Sequence, residues 1–173
     1  MVKQFSIAVF FLWVFVIVLG IEIGAGLYET FVVMPLWDTL PPDSVTAYYR
    51  HNAANPQFTL NAGPRFWMFF TPAVGLLGIG ALVTGLRTNP EHRKWRIVGT
   101  VLAIIVVIST LTWFVPNIIK LSGENVLTMS SDDVTSLTNW WVRLNWLRII
   151  VYLTAWISAL RAFSLSPNIE SNI

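Results

Sequence analysis

The chain has 173 residues, 55% of them hydrophobic and only 12% charged, with a net charge of +2 and no cysteine. Soluble domains carry about one quarter charged residues, so a soluble fold is excluded, and so small a positive balance gives no electrostatic footprint for nucleic acid. The missing thiols exclude disulfides, thiolate metal sites and cysteine nucleophiles.

Four apolar segments are each long enough to cross a hydrocarbon core of ~30 Å, which takes ~20 helical residues. They fall at about 5–34, 66–86, 95–115 and 140–163, with a long connection over 35–65. The expected fold is all-α, an antiparallel four-helix membrane bundle forming one domain over residues 1–173.

In the first segment Lys3 and the run FSIAVFFLWVFVIVLG resemble a secretory leader. The apolar pattern continues past Glu22 as AGLYETFVVM, longer than a cleaved leader needs, so the segment reads as a retained helix ending at Pro35. Glu22 and Glu29 are seven residues apart, which places them within about 20° on one α-helical face, and Gly26 lies between them. A carboxylate inside a membrane helix needs a protein or water partner.

The connection that follows contains DTLPPDSVTAYYRHNAANPQ. Its Ser44 to His51 portion suits a short helix capped by Asp43 or Ser44, serving as a lid or as a packed tether. Gly75, Gly78, Gly80 and Gly85 in the second segment, with Gly20, Gly24 and Gly26 in the first, read as small residues that let helices approach closely. The next connection, RTNPEHRKWR, holds Arg87, Arg93, Lys94 and Arg96. By the positive-inside rule it is cytoplasmic, and so are both termini. The third connection, with Glu124, Asp132 and Asp133 against Lys120, is then outside.

Tryptophans near segment ends, namely Trp37, Trp67, Trp95, Trp140 and Trp141, suit the membrane interface, whereas Trp13 and Trp156 lie deeper and read as packed between helices. The polar tail SPNIESNI reads as frayed.

The fourth segment, WWVRLNWLRIIVYLTAW, sets Trp141, Asn145, Arg148 and Tyr152 at spacings of 4, 3 and 4, a single helical stripe. Arg143, about 140° from Arg148, is close enough to the end to snorkel. At 1.5 Å per residue Arg148 falls between Glu22 and Glu29 in depth on an antiparallel helix, so the three form the expected charged cluster. Asn117, after Pro116, joins at the outer end of the third segment with Thr110 one face-repeat deeper, and Trp67 and Arg65 open the second segment at the same level. The candidate catalytic residues are therefore Glu22, Glu29 and Arg148, and the candidate ligand contacts Tyr28, Trp67, Asn117, Trp141, Asn145 and Tyr152. One reading is a pocket for a small hydrophobic or aromatic molecule. The other is a helper or scaffold protein whose buried ion pairs only fix helix register. Transport fits least, since no inverted repeat or broken mid-membrane helix is visible. No cofactor is expected: His51 and His92 belong to opposite sides of the membrane, and the Glu-x-x-His companions of a di-iron bundle are absent. The expected partners are the bilayer and the small ligand, with a homo-oligomer left open.

The ending of the first segment at YE and Pro-Leu-Trp, the FVPN at the end of the third and the W-x3-N-W-L-R opening of the fourth resemble the anthrone oxygenase-like family of small four-helix membrane proteins. The resemblance runs from the first segment to Arg161. It implies a four-helix bundle and oxygen-dependent conversion of an anthrone to an anthraquinone without an identified cofactor, with Asn117, Trp141 and Arg148 at the matching motif positions. Many members carry a histidine three residues before the arginine. Here that position is Asn145, which is no base near pH 7, so proton abstraction would pass to Glu22 or Glu29.

Overall fold

The computed structural model describes residues 7–54 and 62–165. Lys3 and the tail from Ser166 lie outside the described residues. All regular structure in the described residues is helical: α1 (Ile7–Tyr28), α2 (Asp43–Ala54), α3 (Ala62–Gly85), α4 (Pro90–Ser109), α5 (Val115–Leu121) and α6 (Ser131–Ser164), with π-helical turns at Glu29–Val33 and Thr110–Phe114 and 3₁₀ turns at Met34–Leu36 and Gly123–Thr128. Four helical stretches are long and apolar enough to cross a membrane: Ile7–Leu36, Arg65–Gly85, Pro90–Leu121 and Ser131–Ser164.

Two of these stretches, Pro90–Leu121 and Ser131–Ser164, are longer than the apolar pattern predicts, through three extensions with local reasons. Asn89 accepts a hydrogen bond from the Glu91 N–H at 3.1 Å and Pro90 occupies the first turn, a cap and first residue that start α4 five residues before Trp95. Ser130 does the same for α6: its Oγ accepts from the Asp133 N–H at 3.1 Å and donates to the Asp133 carboxylate at 2.7 Å. The helix thus begins at Ser131, nine residues before Trp140. The third extension overrides a proline. Pro116 does not end its stretch; the helix runs on as α5 to Leu121.

Pro35 and Pro116 have the same antecedent, whereas Pro72 sits inside α3 with no π turn before it. One π turn ends at Val33, two residues before Pro35, and the other at Phe114, two residues before Pro116. Proline lacks the N–H for an i→i−4 bond and its ring crowds that carbonyl, and widening the preceding turn is a known relief. Beyond Glu22 the buried positions are Ile23, Gly26, Thr30, Met34 and Trp37, so Thr30 rather than Glu29 continues the stripe.

The chain divides into two compact units. The first comprises the described residues up to Ile23, Phe69–Val107 and those from Ile150 onward. Its core is built from Leu12, Phe15, Leu19, Val74, Ala81, Ala103, Ala155 and Ala159, all fully buried. Glycine works here as expected. A Cβ on Gly80 would lie 2.6 Å from the Phe11 ring, and one on Gly20 3.1 Å from the Trp156 indole, which donates to the Val16 carbonyl. The closest backbone approach is at Gly99, where a Cβ would stand 2.8 Å from the Ala155 carbonyl oxygen and 2.9 Å from the Ala159 nitrogen. Gly24, by contrast, has nothing within 4 Å. Trp13 is 47% exposed rather than packed between helices, because its position points away from the Leu12–Phe15–Leu19 stripe.

The second unit comprises Gly24–Met68 and Ile108–Ile149. Its core joins Met34, Trp37, Val45, Phe114, Leu121, Val126, Val134 and Trp141. Trp37 and Trp141 are thus interior residues, 3% exposed each, and not surface anchors. The predicted short helix exists as α2, but Ser44 does not cap it. Its hydroxyl donates to the Trp37 carbonyl at 2.6 Å and accepts from the Leu40 N–H at 3.1 Å, which ties the start of α2 back to the end of the first membrane stretch.

Candidate functional site

The second unit gathers Glu29, Trp67, Asn117, Trp141, Asn145 and Arg148. Asn145 is buried at its centre. Its amide donates to the Thr30 hydroxyl at 2.8 Å and approaches the Met34 sulfur at 3.3 Å, while its carbonyl accepts from an Arg148 Nη at 2.6 Å. Thr30 in turn donates to the Gly26 carbonyl at 2.8 Å. The chain Arg148 → Asn145 → Thr30 → Gly26 has every donor aimed at an acceptor, which fixes the amide orientation of Asn145. Both Thr30 and Met34 take part because they lie on the buried face of their stretch.

Arg148 is also held by rings. Its guanidinium carbon lies 4.5 Å from the Phe114 centroid and 5.9 Å from those of Trp67 and Trp141, distances at which an aromatic face attracts a cation. Phe114 and Trp141 meet edge to face at 5.5 Å, and Trp141 and Trp37 at 5.4 Å. The field of Arg148 falls on half-buried Glu29, and that of Glu29 reaches Tyr49 on α2. Burial, with Tyr48 and Glu29 nearby, holds the Tyr49 phenol well above its usual range, so it remains neutral.

Asn117 is buried but turned to its own helix, donating to the Trp113 carbonyl at 2.8 Å and receiving Lys120 at 3.4 Å. Tyr28 is 62% exposed and faces outward. Glu22 and Tyr152 belong to the first unit. There the Glu22 carboxylate, 2% exposed, accepts from Thr71 Oγ1 at 2.9 Å and from the Tyr152 hydroxyl at 3.1 Å. Thr71 was not among the sequence candidates. A lone threonine in an apolar run carries no signal of its own.

Thr138 of the second unit was also missed, whereas Trp141 was among the candidate ligand contacts. Thr138 Oγ1 and Trp141 Nε1 are buried and have no hydrogen-bond partner. They stand three residues apart on one face of α6. No group of three or more His, Cys, Asp or Glu able to hold a metal occurs among the described residues.

No protein-family model matches the chain, and comparison with curated proteins and with solved structures finds no match.

Proposed function

We propose that the protein is an integral membrane receptor or enzyme for a small hydrophobic or aromatic molecule bearing an acceptor oxygen, taken up in the second unit beside Trp141 and Arg148. The carrying observation is the pair of buried, unpartnered groups on α6, Trp141 Nε1 and Thr138 Oγ1. A buried donor left unmade costs about 1–3 kcal/mol, and a ligand carbonyl or phenol would recover it while its rings join Phe114 and Trp37. The two π turns support the same reading, since such turns recur at functional sites. The exposed Arg87, Arg93 and Lys94 favour a cytoplasmic location for the connection they occupy. On that assignment both termini are cytoplasmic, the helices alternate in direction and the ligand site lies toward the outer leaflet, as in a plasma or inner membrane protein.

Titration of the detergent-solubilised protein with anthrone or anthraquinone, followed by tryptophan fluorescence and calorimetry, tests the binding. Trp141→Phe keeps a ring and removes the N–H, and is expected to weaken binding by about tenfold, the equivalent of one hydrogen bond. Unchanged affinity in that variant would sink the assignment.

The oxidation implied by the family resemblance rests on Glu29. Glu29 is a carboxylate on which the Arg148 charge acts, and so it can accept a proton from an acidic C–H while Arg148 holds the resulting enolate. Asn145 cannot substitute, its amide being committed to Thr30 and Arg148. Oxygen uptake with anthrone is expected to exceed the buffer rate and to fall by about 10²-fold or more in Glu29→Gln. Equal rates in the variant and the wild type would leave binding as the whole function.

A further inference from the structure

Arg96 and His92 lie one turn apart on α4, in the first unit, and are 1% and 3% exposed. Arg96 carries five N–H groups. Its Nε donates to the Ala81 carbonyl at 2.6 Å, and its Nη2 to the Ala8 carbonyl at 2.6 Å and to Thr84 Oγ1 at 3.0 Å. The other terminal nitrogen, Nη1, is buried with no partner. Among the described residues no carboxylate answers this charge: all three of its acceptors are neutral. Gly85 leaves the room the guanidinium occupies, since a Cβ there would strike its Nε and Cδ. A buried cation without a counter-charge is costly, and water does not neutralise it.

His92 supplies the second half. Thr88 donates its one hydroxyl proton to the Gly85 carbonyl at 2.7 Å, so at 2.9 Å it accepts from His92 Nδ1–H. In the neutral ring this leaves a lone pair on Nε2, and Nε2 is likewise buried and unpartnered. One face of α4 therefore presents two N–H donors of a permanent cation and, one turn away, an acceptor.

We infer that Arg96 and His92 form a binding site for a phosphate monoester or free phosphate, whose P–O⁻ meets Arg96 Nη1 and whose P–OH is donated to His92 Nε2. A carboxylate has no proton to give His92, and a phosphodiester has none either. The site is separate from the aromatic one and does not depend on it. Its depth suits a headgroup: Arg96 is six residues into α4, about 9 Å from its start at 1.5 Å per residue. Exposed Arg87, Arg93 and Lys94 close by would concentrate anions there. Both nitrogens are buried, so an anion held there is shielded from water and retention is the fitting readout.

Delipidated protein in mild detergent is supplemented with phosphatidic acid, phosphatidylglycerol, phosphatidylcholine or inorganic phosphate, then followed by native mass spectrometry and thermal unfolding. Phosphatidic acid is expected to leave one retained adduct and to raise Tm by about 5 °C at saturation, with no rise from phosphatidylcholine or phosphatidylglycerol. A rise with phosphatidic acid alone assigns a lipid headgroup, and an equal rise with inorganic phosphate assigns the free anion. Arg96→Gln removes the rise but also threatens folding, so His92→Leu, which leaves the three Arg96 bonds in place, is the deciding variant and is expected to abolish it. No rise with either phosphate source, an equal rise with phosphatidylglycerol, or a rise that survives His92→Leu would overturn the site.

Discussion

Gly99→Leu is expected to be the most damaging single substitution in the membrane stretches, costing about 3 kcal/mol or more. A Cβ at this position meets the backbone of α6, at the Ala155 oxygen and the Ala159 nitrogen, both under 3 Å. A side chain can swing aside; a helix backbone cannot. Two helices would have to separate, and the fully buried Ala155, Ala159 and Ala103 are too small to fill the space that opens. Van der Waals contact between small residues is a main source of helix association in lipid, so the loss is not offset elsewhere. Gly24→Leu is the control, with open space around its Cβ position, and is expected to change stability by less than about 0.5 kcal/mol. Denaturation in mixed micelles, monitored by tryptophan fluorescence, checks both. Equal behaviour of the two variants would show that the α4–α6 approach is not a stability determinant.

The second large effect is expected from Asn145→Leu, at about 2–3 kcal/mol. Leucine is close in volume, so the cost comes from polarity. The substitution removes the acceptor for Arg148 and the donor to Thr30 together, and a hydrogen bond to a charged group is worth about 1.5–3 kcal/mol. Asn145→Asp separates the two halves: it keeps an acceptor for Arg148 and loses the amide donor to Thr30 and Met34. It is expected to retain more stability than Asn145→Leu. Should the leucine variant match the wild type in unfolding and in ligand affinity, the Arg148 → Asn145 → Thr30 chain contributes nothing to holding the site.

Much of this was legible before any coordinates. Four spans follow from the length of the apolar runs, and the placing of Asn145 and Arg148 on one stripe follows from their three-residue spacing on one helix. Trp141 was placed on the same stripe by the same arithmetic. What failed was counting seven residues on from Glu22, which put Glu29 on the face that Thr30 occupies; the inward face runs through Ile23, Gly26 and Thr30. The aromatic enclosure of Arg148 joins residues 67, 114 and 141 from three different stretches, and no local pattern announces it. Gly99 stands alone without a glycine three or four residues away, so it gave no motif, although a Cβ there would meet the backbone of a neighbouring helix at under 3 Å. Arg96 was counted only as one of several positive charges in a connection. Its burial depends on acceptors contributed by Ala8 and Ala81, far away in sequence.

Neither π turn breaks the count of the inward face. Steps of three and four carry the buried positions Leu19, Ile23, Gly26, Thr30, Met34 and Trp37 through the first, and Ala103, Val107, Thr110, Phe114, Asn117 and Leu121 through the second. A gapless comparison of this chain with one that lacks either proline is therefore expected to hold its register across Pro35 and Pro116, inward residue against inward residue.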